Sequence, residues 1–204
     1  MPTRAILSWA AAALLLAPAF SQQHALTVYQ IRPGSEQRFA LEVFKSGLWE
    51  GRKHVFLFSD YSGVIRFDQS APENSTVELT IEGASAACRD TWVSEGDRGK
   101  IQSQAFKMMD IPKHPHLLFA SRQIVPLGSG RFQVKGSLEI GGIKAPVTLE
   151  VTLNGTSDDT LDFQGDAQVR MEDYGLKPPG AALGLIGTKN EMRVEFTLKA
   201  KRAV

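Results

Sequence analysis

Cysteine and excess charge are what this chain most clearly lacks. Cys88 is its single cysteine, so no intramolecular disulfide can form, and the thiol either lies buried and inert or pairs with that of a second chain. The 23 lysines and arginines are matched by 22 aspartates and glutamates, with both signs interspersed. This balance gives no electrostatic attraction to nucleic acid or to an anionic membrane surface. We therefore expect no nucleic-acid partner, while a homodimer stays open.

Long apolar runs are also absent. The longest one, residues 5–17, has about 13 residues, whereas a membrane-spanning helix needs about 20. Arg4 precedes this run and small residues lead up to Ser21, which is the pattern of a secretory signal peptide. The sequence predicts a signal peptide at residues 1–21 and a single domain at residues 22–204. It also predicts a periplasmic or secreted protein that keeps no stable membrane anchor.

The positive feature of the chain is a regular alternation of apolar and polar side chains. In residues 131–140 (RFQVKGSLEI) every second side chain is apolar, and similar runs recur at 147–153 and 192–198. Because successive side chains of a β-strand point to opposite faces, each run predicts a strand with one apolar face. Many antiparallel strands of this kind predict an all-β, up-and-down β-barrel of about eight strands, closed around a core or an apolar ligand.

One segment follows the period of a helix instead. Its apolar residues recur at spacings of four and three from Ile101 to Met108, and Ser94 or Asp97 can cap its start. We therefore predict one main α-helix at residues 97–109, inserted mid-chain and covering one end or seam of the barrel.

The apolar faces of the predicted strands should point into the barrel. These residues are Phe39, Leu41, Phe58, Val77, Leu79, Ile81, Phe119, Phe132, Val134, Leu138, Val147, Leu149, Val169, Val194 and Phe196. Inward side chains of an eight-stranded barrel either fill its interior or leave room for one small ligand. The residues alone leave both arrangements open.

A long apolar loop follows the predicted strand that ends near Met171. Ordinary connections have about 4–6 residues and are polar, whereas this one runs to Gly187 and contains both proline and glycine. We predict that it forms a lid over the barrel. The apolar side chains of this lid are Leu176, Leu183, Leu185 and Ile186. A loop that packs permanently on the barrel rim is the alternative.

Neither a catalytic nor a metal-binding arrangement stands out. His114 and His116 flank a proline that distorts strand geometry, and no cluster of cysteines or carboxylates completes a ligand set. The serines are scattered, without a Gly-x-Ser-x-Gly element, and Cys88 beside Arg89 has no recognisable histidine partner. We therefore expect a protein that is not an enzyme and that holds no metal or cofactor.

An outer-membrane barrel would have the same alternation, since its lipid-facing and lumen-facing residues also alternate. Three features weigh against it: the inserted helix, the basic segment 199–202, and only three tyrosines and three tryptophans, too few for two aromatic girdles. A barrel surrounded by water is the prediction that follows.

Several short motifs follow one another in a fixed order across residues 22–204. They are Phe58-x-x-Tyr61-x-Gly63, residues 67–68, 77–81, 89–90, 106–121 and 136–149, then Tyr174-Gly175-Leu176 and Asn190-Glu191-Met192. In this order and spacing the chain resembles the YceI-like family of bacterial, polyisoprenoid-binding, lipocalin-like proteins. It departs from the family pattern at Phe56, where a glycine is usual, and at Gly141, where an arginine is usual.

The resemblance implies a non-enzymatic lipid-binding protein. Its barrel would hold a long apolar isoprenoid, either a polyprenyl lipid or an isoprenoid quinone, for transport, storage or a stress response. The polar head of such a lipid would lie near the barrel mouth, where Arg170, Tyr174 and Lys189 flank the apolar loop and are the head-group candidates. The alternative is a solidly packed barrel that acts as a protein-interaction or structural module without a ligand.

Overall fold

The computed structural model describes residues 26–180 and 185–203, and within them the strands form one closed antiparallel sheet. The predicted signal peptide and Leu183 of the predicted lid lie outside these residues. The strands are β1 Thr27–Ile31, β2 Arg38–Gly47, β3 Lys53–Phe58, β4 Tyr61–Phe67, β5 Thr76–Glu82, β6 Ala86–Cys88, β7 His116–Gly128, β8 Arg131–Ile140, β9 Ile143–Thr156, β10 Thr160–Arg170 and β11 Ile186–Arg202. In the described residues a single α-helix, α1, spans Glu95–Met108, and 3-10 turns occupy Pro72–Asn74, Gly83–Ser85 and Met171–Tyr174.

Eight long strands make up the barrel, because three of them are broken into two segments each. β1 and β2 both pair with β11, at Tyr29↔Arg202 and Phe39↔Phe196, so they are two parts of one strand. In the same way β3 continues into β4 and β5 into β6, since β4 pairs with β1 and β5 while β3 pairs with β2 and β6. β7 to β11 follow in sequence order, and β11 closes the ring on β1. The predicted up-and-down barrel of about eight strands is confirmed.

The apolar faces of the strands point inward, as the alternation predicts. In β8, Val134 and Leu138 are buried whereas Lys135 is exposed. The outer face carries ion pairs between neighbouring strands, such as Arg38 with Glu195 at 2.8 Å. Exposed pairs of this kind contribute about 0–1 kcal/mol each. The stability of the barrel therefore comes mainly from burial of the inner face, at about 25 cal/mol for each Å² of apolar surface.

Two glycines allow aromatic rings to cross neighbouring strands inside the barrel. A Cβ atom at Gly136 would lie 2.7 Å from the ring of Phe119, and one at Gly165 would lie 2.7 Å from the ring of Phe196. The same Cβ atoms would lie still closer to a strand carbonyl oxygen, 2.4 Å from that of Ala120 and 2.5 Å from that of Glu150, so an alanine at either position would displace backbone as well as the ring. These glycines therefore set the positions of two aromatic side chains in the interior.

The helix α1 lies beside β6 and covers one end of the barrel. The backbone N–H of Asp97 donates to the hydroxyl of Ser94 at 3.2 Å, so Ser94 caps the helix. This cap explains why the helix begins at Glu95, two residues before the predicted start. Ile101 and Met108 on its inner side are half-buried and pack against the core. Among the described residues no helix combines the length and the apolar character needed to cross a membrane.

Candidate functional site

The inward faces enclose a narrow space of about 150 Å³, which we call the barrel cavity. All fifteen residues predicted to face the interior line it, and Ser75 is the one polar residue among its lining side chains. Phe39 packs against the rings of Phe58, Tyr61 and Phe196, with ring centroids 5.7, 5.7 and 6.1 Å away. A wall of this kind is suited to hydrocarbon rather than to a charged group. That the fifteen residues contact a ligand stays a prediction.

A second space of about 430 Å³, which we call the mouth cavity, lies at the end covered by α1. It is bounded by β2, β3, β11, α1 and the segment that follows β10. Leu41, Phe58 and Ile140 line both cavities, so the two spaces adjoin. Asp97 and Lys100 on its rim are exposed, and the mouth cavity therefore opens towards solvent.

Lys45 is the buried cation of the mouth cavity. It follows Leu41 and Val43 on the inward face of β2, and only 7% of its surface is exposed. Its ammonium group donates to the hydroxyl of Thr188 at 3.2 Å and lies 5.5 Å from the ring centroid of Trp49. Burial lowers the pKa of Lys45 below its usual value of 10.5. Within residues 26–180 and 185–203, no carboxylate forms an ion pair with it.

A histidine and an aspartate form a second polar group on the same wall. Nδ1 of His54 lies 2.6 Å from Oδ2 of Asp90, whose Oδ1 accepts the backbone N–H of Val55 at 2.8 Å. Because the carboxylate is an acceptor, the proton belongs on Nδ1, which leaves Nε2 of His54 free of this contact. The imidazole stacks on Trp92 with centroids 5.3 Å apart. Both rings line the mouth cavity.

This histidine is not accompanied by a nucleophile in the part of the chain that the structure describes. No hydroxyl or thiol there forms a hydrogen bond with His54. The thiol of Cys88 is buried, and burial raises its pKa, which is the opposite of the activation that a neighbouring Arg89 could have caused. The arrangement can therefore bind and orient a group, but it lacks the parts of a covalent mechanism.

The three head-group candidates lie away from both cavities. Arg170 is exposed and pairs with Glu172 at 3.2 Å, and Lys189 pairs with Glu50. Tyr174 is only 2% exposed, and its hydroxyl has no hydrogen-bond partner among the described residues. Burial, together with the charge of Asp173, raises the pKa of Tyr174 to about 12. None of the three lines either cavity, so the structure does not bring them together at the interior, and their role stays a prediction.

The predicted lid contributes two described side chains to the mouth cavity. Leu176 is buried, and both Leu176 and Ile186 line this cavity. Leu185 is 60% exposed, and its carbonyl accepts the backbone N–H of Leu48 at 2.9 Å. The loop is therefore attached to the β2–β3 turn by at least one backbone hydrogen bond. Whether it opens stays a prediction.

Lys45 was not predicted as a site residue, although the sequence carries a signal for it. Lys45 stands in phase with Phe39, Leu41 and Val43, so its parity places it on the inward face of β2. A lysine at a position that the alternation assigns to the apolar face indicates either the end of that strand or a buried charge. His54 and Asp90, which are 36 residues apart, carry no comparable signal.

The histidine pair that was considered as a metal site is separate from these cavities. Nε2 of His116 lies 3.3 Å from a carboxylate oxygen of Glu82, and both side chains are partly exposed. In the described residues no group of three His, Cys, Asp or Glu side chains is arranged to hold a metal ion.

A family comparison agrees with this architecture. A model of the YceI-like domain matches residues 29–200, which is most of the chain. The chain belongs to the YceI-like family. The resemblance inferred from the order of the motifs is therefore confirmed.

Curated relatives of this YceI-like chain match over part of their length. UPF0312 proteins of Pseudomonas putida (strain W619) and Pseudomonas fluorescens (strain SBW25) are 29% and 30% identical to it over 129 residues. The matched segment covers 61% and 60% of this chain and 64% of each relative. The chain thus matches less than two thirds of the length of these relatives.

Solved structures of low sequence identity share the fold. BcnA of Burkholderia cenocepacia has a TM-score of 0.64 at 20% identity, covering 80% of this YceI-like chain and 95% of BcnA. A polyisoprenoid binding domain from Saccharophagus degradans has a TM-score of 0.60 at 13% identity, covering 87% and 99% of the two chains. The YCEI protein of Campylobacter jejuni has a TM-score of 0.59 at 18% identity, covering 72% and 84%. At these identities the likeness shows the barrel fold.

Proposed function

We propose that this YceI-like protein is an exported, non-enzymatic carrier that holds a long-chain isoprenoid inside its barrel. The ligand would be a polyprenyl lipid or an isoprenoid quinone, bound for transport, storage or a stress response. The observation that carries the proposal is the pair of adjoining cavities: an apolar space inside the barrel that leads into a larger, partly polar space at one end. A chain with an apolar body and a polar end fits this order.

The apolar wall can supply the affinity without a charged partner. Burial contributes about 0.8 kcal/mol for each CH₂ group, or about 4 kcal/mol for a fully buried five-carbon isoprene unit. The mouth cavity, at about 430 Å³, falls within the usual size of a ligand pocket, about 300–1,000 Å³. The barrel cavity, at about 150 Å³, is about the size that holds one benzene molecule. A long chain would therefore occupy both spaces and displace some inward side chains.

Two further observations support a binding role. A structure with the same fold, from Saccharophagus degradans, is described as a polyisoprenoid binding domain, which favours this class of ligand. The pattern of residues 1–21 favours export. The His54–Asp90 pair has no nucleophile beside it in the described residues, so binding accounts for the site more simply than catalysis does.

The direct test is to purify the protein from its native host and analyse it by native mass spectrometry and by solvent extraction. We expect an isoprenoid adduct of defined mass that the solvent removes and that long prenyl chains restore. Protein that is always free of ligand and never takes up prenyl chains would favour the packed, protein-interacting barrel instead.

A pair of matched variants links the binding to the interior. Ala167 lines the barrel cavity, whereas Ala120 lies exposed on β7. Ala167→Phe should fill the cavity and abolish uptake of the prenyl chain, and Ala120→Phe should leave uptake unchanged. Unfolding curves of both variants establish that each is folded. Equal uptake by the two variants would place the ligand outside the barrel.

A further inference from the structure

Lys45 carries a charge that its surroundings in the described residues do not balance. Moving an ammonium group out of water costs several kcal/mol unless a counter-charge and further hydrogen bonds replace the lost hydration. The replacements visible around Lys45 are one neutral hydroxyl, that of Thr188, and the face of Trp49. Neither of them carries a full negative charge. The ligand-free site therefore has an unmet preference for an anion.

The other ionisable side chains of the mouth cavity already have polar partners. Asp97 accepts hydrogen bonds from Lys100 at 3.1 Å and from Ser94 at 2.7 Å. His54 faces the carboxylate of Asp90 at 2.6 Å. Lys45 is thus the cation of this cavity that lacks a carboxylate partner among the described residues. The positive charge that remains unbalanced in this cavity is therefore the ammonium of Lys45 on β2.

The place of Lys45 matches the end of a chain that leaves the barrel cavity. Leu41 lines both cavities, and Lys45 follows it by four residues on the same face of β2. Four residues of a strand extend over about 13 Å. A ligand chain that passes Leu41 and continues along β2 for this distance would place its terminal group beside the ammonium of Lys45.

We propose that Lys45 binds an anionic head group, a phosphate or a carboxylate, at the end of the isoprenoid chain. Thr188 accepts a hydrogen bond from Lys45, which leaves its own O–H free to donate to the same head group. A neutral head group would leave the buried ammonium without a counter-charge. This inference rests on the proposed isoprenoid-binding function and names the chemistry of the polar end.

The test compares two ligands that differ only in the head group. The full chain, freed of bound lipid, is titrated by calorimetry with geranylgeranyl phosphate, with geranylgeraniol and with inorganic phosphate alone. The variants are Lys45→Met, which keeps most of the length of the side chain and removes its charge, and Lys45→Arg, which keeps the charge. Lys135→Met is the matched control, because Lys135 is exposed on the outer face of β8.

The unchanged protein should bind the phosphate at least about 30-fold more tightly than the alcohol, equivalent to about 2 kcal/mol. Lys45→Met should reduce this preference to less than about threefold while its affinity for the alcohol stays within about threefold of the original. Lys45→Arg and Lys135→Met should keep most of the preference. Inorganic phosphate alone should bind far more weakly than the phosphorylated chain, because it lacks the buried tail.

Each negative result of this experiment contradicts a different claim. If the alcohol and the phosphate bind equally, or if Lys45→Met weakens both equally, the head-group inference is wrong and the isoprenoid-binding function stands. If Lys45→Met does not fold, Lys45→Gln replaces it, and a preference left intact in that variant would equally overturn the inference. If inorganic phosphate binds as tightly as geranylgeranyl phosphate, the site takes a free anion and not a lipid head. If neither prenyl ligand binds, the proposed function itself is wrong.

Discussion

Replacing Phe39 by alanine tests whether the aromatic interior of the barrel is packed as described. Phe39 is 6% exposed, lines the barrel cavity and contacts the rings of Phe58, Tyr61 and Phe196. Truncation of a buried phenylalanine costs about 3–5 kcal/mol. One side of this ring borders space that is already empty, so we expect the lower end, about 3 kcal/mol. For a domain of this size the loss lowers Tm by about 6–12 °C.

The matched control lies on the same strand. Phe44 is half-buried, and its parity on β2 places it on the outer face. Phe44→Ala should cost about 1 kcal/mol, since its ring is only partly removed from water. Urea unfolding of the two variants and of the unchanged protein, followed by circular dichroism, measures both losses.

Ligand binding supplies a second readout for the Phe39 variant. A prenyl alcohol at 100 times its Kd should add about 2.7 kcal/mol to the free energy of unfolding. The Phe39→Ala cavity stays apolar, so the added ligand should recover most of the loss. A loss at Phe39 no greater than that at Phe44, or an absence of recovery with ligand, would contradict the packing and the cavity derived from the structure.

Three further predictions concern the buried polar groups and the loop. Burial lowers the pKa of Lys45, so between that lowered pKa and 10.5 the unfolded chain binds more protons than the folded one. The ligand-free protein should therefore become more stable as pH rises through this window. Lys45→Met should lack this increase when stability is measured by urea unfolding. The pKa of Tyr174 is raised from 10.0 to about 12, so its contribution to stability is complete below pH 10 and is lost as pH rises towards 12, by an amount on the order of 3 kcal/mol. Tyr174→Phe should show no such loss in alkaline unfolding curves. Amide exchange at residues 176–186 should be faster than in the strands after lipid extraction and should slow on reloading, and exchange that is indifferent to ligand would exclude a lid.

The alternation of side chains allowed much of the barrel to be predicted, because successive residues of a strand point to opposite faces. It identified the fifteen lining residues without any long-range information. It did not mark the breaks at residues 32–37 and 83–85, since these depend on how neighbouring strands bend. The short β6 carries no alternation of its own and pairs only with β3 among the described strands.

The polar groups that line the mouth cavity were not predicted from the sequence. Arg170 was chosen because it flanks the apolar loop, yet it follows Val169, which faces inward, so parity already placed Arg170 outside. Lys45 is in phase with the inward-facing residues of β2, but it was not recognised as part of the site. The His54–Asp90 contact could not be predicted at all, because it joins β3 to the segment after β6 and depends on the closed fold.

The barrel closes between its first and its last strand, through Tyr29↔Arg202, Gln30↔Lys201 and Ile31↔Ala200. These partners are separated by almost the whole described chain, so the ring cannot form until β11 has been synthesised. Until then the inner faces of the earlier strands have no enclosed space to occupy. Pairing of this kind is slow and leaves apolar strands exposed to association with other chains. We expect the nascent protein to depend on chaperones up to the arrival of β11, and truncations within residues 198–203 to aggregate rather than to form a smaller barrel.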